Sequence, residues 1–132
     1  MDAMRRSLEC LKDGSILGIS PEGTRNKTGK LLKGHPGIVA LAIHSGAPLM
    51  PVAHWGGENF KANLKRMRRT DFKIRVGKPF LIQTNGKKID KSSRQAIVDE
   101  MMYKLAANLP EEYRGEYSDI SNATSHYLKN IE

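Results

Sequence analysis

The stretch Ser15-Ile16-Leu17-Gly18-Ile19-Ser20-Pro21-Glu22-Gly23-Thr24-Arg25 reads as a short apolar strand running into a turn packed with ligand chemistry. Ser15 to Ser20 is a continuous apolar run of strand length, the pattern of a strand buried on both faces. Pro21 has no N–H to give to a ladder, so the strand is expected to stop there. Glu22, Gly23, Thr24 and Arg25 then fall where ligands bind in open α/β sheets, at the carboxyl end of a strand. Gly23 allows backbone to approach a ligand closely, and Thr24 brings a hydroxyl that donates and accepts. Arg25 brings a planar fork that grips phosphate through two parallel hydrogen bonds, while Glu22 accepts from a hydroxyl or orients a neighbour. A Gly- and Pro-rich surface turn is the plainer alternative.

Upstream, Met4, Leu8 and Leu11 stand at i, i+4 and i+7, one apolar stripe of a short helix over residues 3–12. Gly14 can close that helix in the left-handed conformation. Downstream, Asn26 to Lys30 is a polar loop, and Ile38 to Ile43 has the spacing of a helix lying against a sheet. Pro36 suits its first position, where the missing N–H costs nothing. Lys33 and His35 thereby stand beside a helix N-terminus, where free N–H groups favour anions. Lys33 is either an anion ligand or a solvated loop lysine, and His35 reads more simply as a capping or surface residue. Ala47 to Trp55 then reads as a second strand, so that strand, helix and strand follow each other as in a right-handed β-α-β unit.

Residues 59–69 form a basic hot spot in which Phe60, Leu64 and Met67 share one helical face and Lys61, Lys65, Arg66, Arg68 and Arg69 fill the rest. Such a segment lies on an anionic bilayer or forms a solvated surface helix. Trp55 just before it is an interfacial anchor or a core residue. Phe72 to Val76 alternates apolar and basic residues, the mark of a half-exposed strand near a sheet edge, and Asn85-Gly86 is a turn. Asp90, Ser92 or Ser93 caps a packing helix carrying Ile97, Val98, Met101, Met102, Leu105 and Leu109, which stops before Pro110. The organisation expected is one α/β unit over residues 1–110 and a polar tail over 111–132, with a short helix from about Asn122.

In 132 residues, 39% hydrophobic and 27% charged, there is room for a single core. A net charge of +8 calls for an anionic partner: a phosphorylated metabolite, an anionic membrane surface or nucleic acid. Aromatic content of 6% argues against nucleic acid, which wants aromatics interleaved with its basic patch. The lone Cys10 excludes an internal disulfide, and no apolar stretch approaches the ~18 residues of a membrane span. No ligand cluster suggests a metal.

Pro21-Glu22-Gly23-Thr24-Arg25 after an apolar strand resembles the third signature block of the glycerolipid acyltransferases, the 1-acyl-sn-glycerol-3-phosphate acyltransferase family. Met50-Pro51-Val52 resembles the fourth block, and Val76-Gly77-Lys78-Pro79 a further element common in that family. Met50 stands where valine or isoleucine is commoner, and Asn26 where serine often follows the arginine. The resemblance covers about residues 3–80. It implies a glycerol-3-phosphate acyltransferase-like α/β fold whose sheet is mixed or mostly parallel and flanked by helices. It also implies acyl transfer to lysophosphatidate from acyl-CoA or acyl carrier protein, without a further cofactor, at the cytoplasmic face of a membrane. Carried onto this chain, Arg25 holds the acceptor phosphate with Lys33 as a second cation. Glu22, Gly23 and Thr24 shape the glycerol pocket, and Pro51 and Val52 line the site.

Acyl transfer also needs a base for the attacking hydroxyl and donors for the oxyanion. The family takes that base from a His-x-x-x-x-Asp block. Five residues after His35, His44, His54 and His126 come Ala40, Leu49, Asn59 and Ile131, none acidic. The expectation is therefore the latter part of a catalytic domain, entering its fold midway and inactive alone. A non-catalytic anion-binding module for a membrane surface or nucleic acid is the rival reading, and a plain structural piece is the third.

Overall fold

The computed structural model describes residues 2–132. The described residues form four α-helices and four short strands, a mixed α/β arrangement. Helix α1 (Asp2–Lys12) presents Met4, Leu8 and Leu11 as a half-buried stripe and packs on α2 (Gly37–Ser45). Its end is closed as the sequence predicts, with Gly14 at φ +81°.

The core gathers around α4 (Lys91–Ala106), whose Ile97, Val98 and Met102 are sealed from solvent. Ile38 and Val39 of α2 pack against it, as do Phe80 and Leu128. The helix starts where the sequence places it: the Asp90 carboxylate accepts the Ser93 N–H at 2.8 Å, satisfying one of the orphan donors of the first turn. It ends at Ala106, so Leu109 joins the core from the loop beyond.

The sheets differ from expectation. Strand β1 (Val52–Trp55) pairs antiparallel with β2 (Lys73–Val76), and β3 (Phe80–Ile82) pairs antiparallel with β4 (Leu128–Asn130). The single mixed or mostly parallel sheet is not found among the described residues. Instead there are two two-stranded ribbons, joined only by the bridge between Leu49 and Phe80. The chain returns on itself after residues 57–72, and hydrogen bonding from Gly77 N to Pro51 O sets the register of the first ribbon. The pairing is therefore with the next strand, not across α2.

Ser15–Ser20 forms no ladder at all, and Ile16 is 99% exposed. An apolar run signals affinity for burial, but a strand also needs neighbouring N–H and C=O groups, and none of the described strands lies in register with this one. In place of the short helix expected from about Asn122, residues 120–122 make a 3-10 turn and Leu128–Asn130 is the strand β4.

Candidate functional site

An open cleft of about 780 Å³ is bordered by the turn at Pro21–Thr24, by the loop to Leu31 and by β1. The turn is a built feature. Gly23 N–H donates to Ser20 O, and Gly23 sits at φ +64°, where an added Cβ would press on His35 at 3.3 Å. His35 N–H donates to Pro21 O at 2.7 Å, tying the segment before α2 back onto the turn. The His35 ring then accepts the Gly37 N–H through Nδ1 at 3.1 Å, the capping role.

Among the residues expected to bind substrate, Glu22, Thr24 and Val52 line this cleft. Gly23 shapes the turn behind it. Arg25 is exposed, lies outside the cleft wall and forms no ion pair with any described residue, so its guanidinium is available. Lys33 is exposed two residues before the His35–Pro21 contact and also lies outside the wall. Pro51 is buried under β1 and holds Gly77 through its carbonyl, which is a framework role.

Residues that the sequence reading did not assign to the site complete it. Asn26 organises the loop after the turn: its side-chain oxygen accepts from Thr28 N and Gly29 N, and its amide donates to Glu22 Oε2 at 3.0 Å. An asparagine two residues before a threonine and three before a glycine is a legible turn signal of this kind. Lys27 and Lys30 bring further positive charge to the cleft. His54 and Trp55 enter from β1, and Arg75 of β2 lies 5.4 Å over the Trp55 ring, a cation–π contact. Tyr113 closes the far side with its hydroxyl donating to Glu58 at 2.6 Å, a contact across 55 residues that no local pattern announces.

Burial pushes the Glu22 carboxyl above its ordinary range, against the opposing pull of the Asn26 amide. The site thus offers a partly desolvated carboxyl, a hydroxyl and several cations around an open space. His54 lies near enough to Glu22 to draw its carboxyl down against the effect of burial, but no hydrogen bond joins the two, and no group of three or more candidate metal ligands occurs among the described residues.

Residues 1–55, from α1 to the end of β1, match the family described as Acyltransferase. The 1-acyl-sn-glycerol-3-phosphate acyltransferase of Pseudomonas aeruginosa is 46% identical over 50 residues, which cover 38% of this chain and 20% of that protein. The Bacillus subtilis enzyme of the same name is 31% identical over 100 residues, covering 76% of this chain and 47% of the relative. That of Borreliella burgdorferi is 31% identical over 55 residues, 42% of this chain and 22% of the relative. The chain spans less than half the length of each of these relatives. No solved structure matches it. The segment carrying α1, the Pro21–Arg25 turn, α2 and β1 is thus the part that matches the acyltransferase family, and the chain is similar to the 1-acyl-sn-glycerol-3-phosphate acyltransferases over part of their length.

Proposed function

We propose that this chain supplies the acceptor-binding part of an enzyme that transfers a fatty acyl group from acyl-CoA or acyl carrier protein to lysophosphatidate. The observation that carries the reading is the position of the Pro21–Arg25 turn. It lies within the family-matched segment, and its Pro21, Glu22 and Thr24 form one border of the open cleft that Val52 also lines, with Arg25 exposed just outside that wall. Arg25 holds the acceptor phosphate, its five N–H donors being uncommitted to any described carboxylate. Lys33 adds a second cation from the loop tied to Pro21. Glu22 and Thr24 take the glycerol hydroxyls, Gly23 keeps the turn tight, and Val52, next to the buried framework residue Pro51, sets the wall on the β1 side. Acyl transfer needs a general base, and the chain contains no His-x-x-x-x-Asp sequence to provide one in the family's manner. The chain therefore binds acceptor without turning it over.

The test is titration of the chain with glycerol 3-phosphate, the soluble head of the acceptor. Arg25→Ala is expected to weaken binding ~10-fold or more, the worth of a charge-assisted bidentate contact, with no change in stability. Equal affinity in the variant overturns the assignment. CoA release from acyl-CoA and lysophosphatidate, above a heat-killed control, would show that the chain carries a complete catalytic centre.

A further inference from the structure

Residues 57–72 form a second surface that meets the acceptor cleft only along its edge, at Gly57, Glu58 and Phe72. A short 3-10 turn leads into α3 (Phe60–Lys65), after which the chain turns sharply at Met67, a non-glycine residue held at φ +53°. That turn is pinned from within. Arg68 N–H donates to Asn63 O at 2.8 Å, and the Asn63 amide donates to Thr70 Oγ1 at 3.2 Å. At the base, Gly56 crosses Asp71 so closely that a Cβ there would lie 2.0 Å from the Asp71 carbonyl oxygen. The platform is preformed.

Its outer face combines two chemistries. Phe60, Leu64, Met67 and Phe72 are 55%, 62%, 96% and 53% exposed. Between Glu58 and Asp71 there are five cations and no acid, all five cations are exposed, and none forms an ion pair with a described residue. A shallow depression of about 630 Å³ has Phe60, Leu64 and Phe72 in its walls and Arg68 and Arg69 among its lining. Large apolar groups beside unpaired cations match one partner in both respects: acyl chains beneath a layer of anionic phosphate. Nucleic acid would satisfy the charge but leave Leu64 and Met67 in water. Gly57 and Phe72 border this depression and the acceptor cleft alike.

We propose that residues 57–72 dock the chain on an anionic bilayer, with Phe60, Leu64 and Met67 among the acyl chains, and that Phe72 sets the mouth of the acceptor cleft at the membrane surface. A single-chain lipid then passes from bilayer to cleft without crossing water. The docking part stands on the platform alone; the delivery part rests on the acceptor-binding reading above.

The experiment is co-sedimentation of the whole chain with vesicles of phosphatidylcholine containing 30% phosphatidylglycerol, free of lysolipid. Binding is expected, with Arg68→Gln/Arg69→Gln and Leu64→Ser/Met67→Ser each reducing partitioning ~10-fold while thermal unfolding is unchanged, since all four side chains are exposed. Partitioning unaffected by both double variants, or tighter binding to duplex DNA than to these vesicles at the same salt, overturns the docking. Trp55 is the sole tryptophan and lines the cleft, so bilayers carrying brominated acyl chains are expected to quench its fluorescence. Bound chain with unquenched Trp55 overturns the placement of the cleft mouth. Glycerol 3-phosphate in solution reports only on the cleft, so loss of that binding with vesicle binding intact would sink the acceptor reading and leave the docking standing.

Discussion

The helix α4 and the run Ser15–Arg25 are both apolar-rich stretches, and the molecule treats them in opposite ways. Around α4 every demand is met within the chain. Ile97, Val98, Met102 and Ala106 have no measurable exposure. Even the one buried acid is provided for: Glu100 accepts from the Thr124 hydroxyl at 2.7 Å, from His126 N at 2.7 Å and from Tyr127 N at 3.0 Å. Around Ser15–Arg25 the demands stay open. Ile16 and Ile19 face solvent, the backbone of 15–20 joins no ladder, and Arg25 has no described counter-charge. The first region is finished structure, while the second is chemistry presented outward. A residue in the first is read from what it touches, and a residue in the second from what it could bind.

Substitutions can break that contrast or sharpen it. Met102→Ala should cost ~2–5 kcal/mol in urea unfolding, because it opens a cavity at a fully buried position. Glu100→Ala comes next, at ~1–3 kcal/mol, since it strands a hydroxyl and two backbone N–H groups of the segment 124–127. Tyr117→Phe should cost ~1–2 kcal/mol: the hydroxyl accepts Gly34 N–H at 2.9 Å and donates to Asp99 at 2.8 Å. This variant also has a pH signature. Burial, assisted by the Asp99 carboxylate, holds the Tyr117 phenol protonated well above its ordinary value of 10.0. Its contribution is therefore intact below about pH 10 and declines as pH rises past it, a decline the phenylalanine variant lacks. The smallest effect is expected from Ile16→Ser, within ~0.5 kcal/mol, because the side chain is 99% exposed. A loss several times larger, or one that grows with protein concentration, would mean the run is covered in solution and would erase the contrast.

The same contrast explains what could be read from the sequence. Helix α4, its Asp90 cap and its core face were legible because capping and helical periodicity are local, and the packing that completes them agrees with them. The Pro21–Arg25 turn was legible as a constellation of side chains, independent of the backbone that leads into it. Strand pairing was not legible. The run Ser15–Ser20 has a strand's composition, yet a ladder is a property of two segments, and β1 finds its partner in β2 across the basic stretch instead of beyond α2. Asn26 was visible as a departure from the family pattern, but its hold on Glu22 and the loop only follows from three-dimensional distances. Tyr113 and Tyr117 stood in a polar tail with no periodicity to mark them, and both reach back to the first third of the chain.

That reach matters for how the protein is made. The loop after the signature turn is fastened by residues far along the chain: Leu31 N–H donates to Tyr113 O, Glu116 N–H to Leu31 O, and Gly34 N–H to the Tyr117 hydroxyl 83 positions away. At ~5–20 residues per second on the ribosome, several seconds separate the synthesis of Gly34 from that of the tyrosine that holds it. During that interval the loop after the turn has nothing to close on. The stretch bearing the ligand chemistry is translated well before the residues that give it its shape.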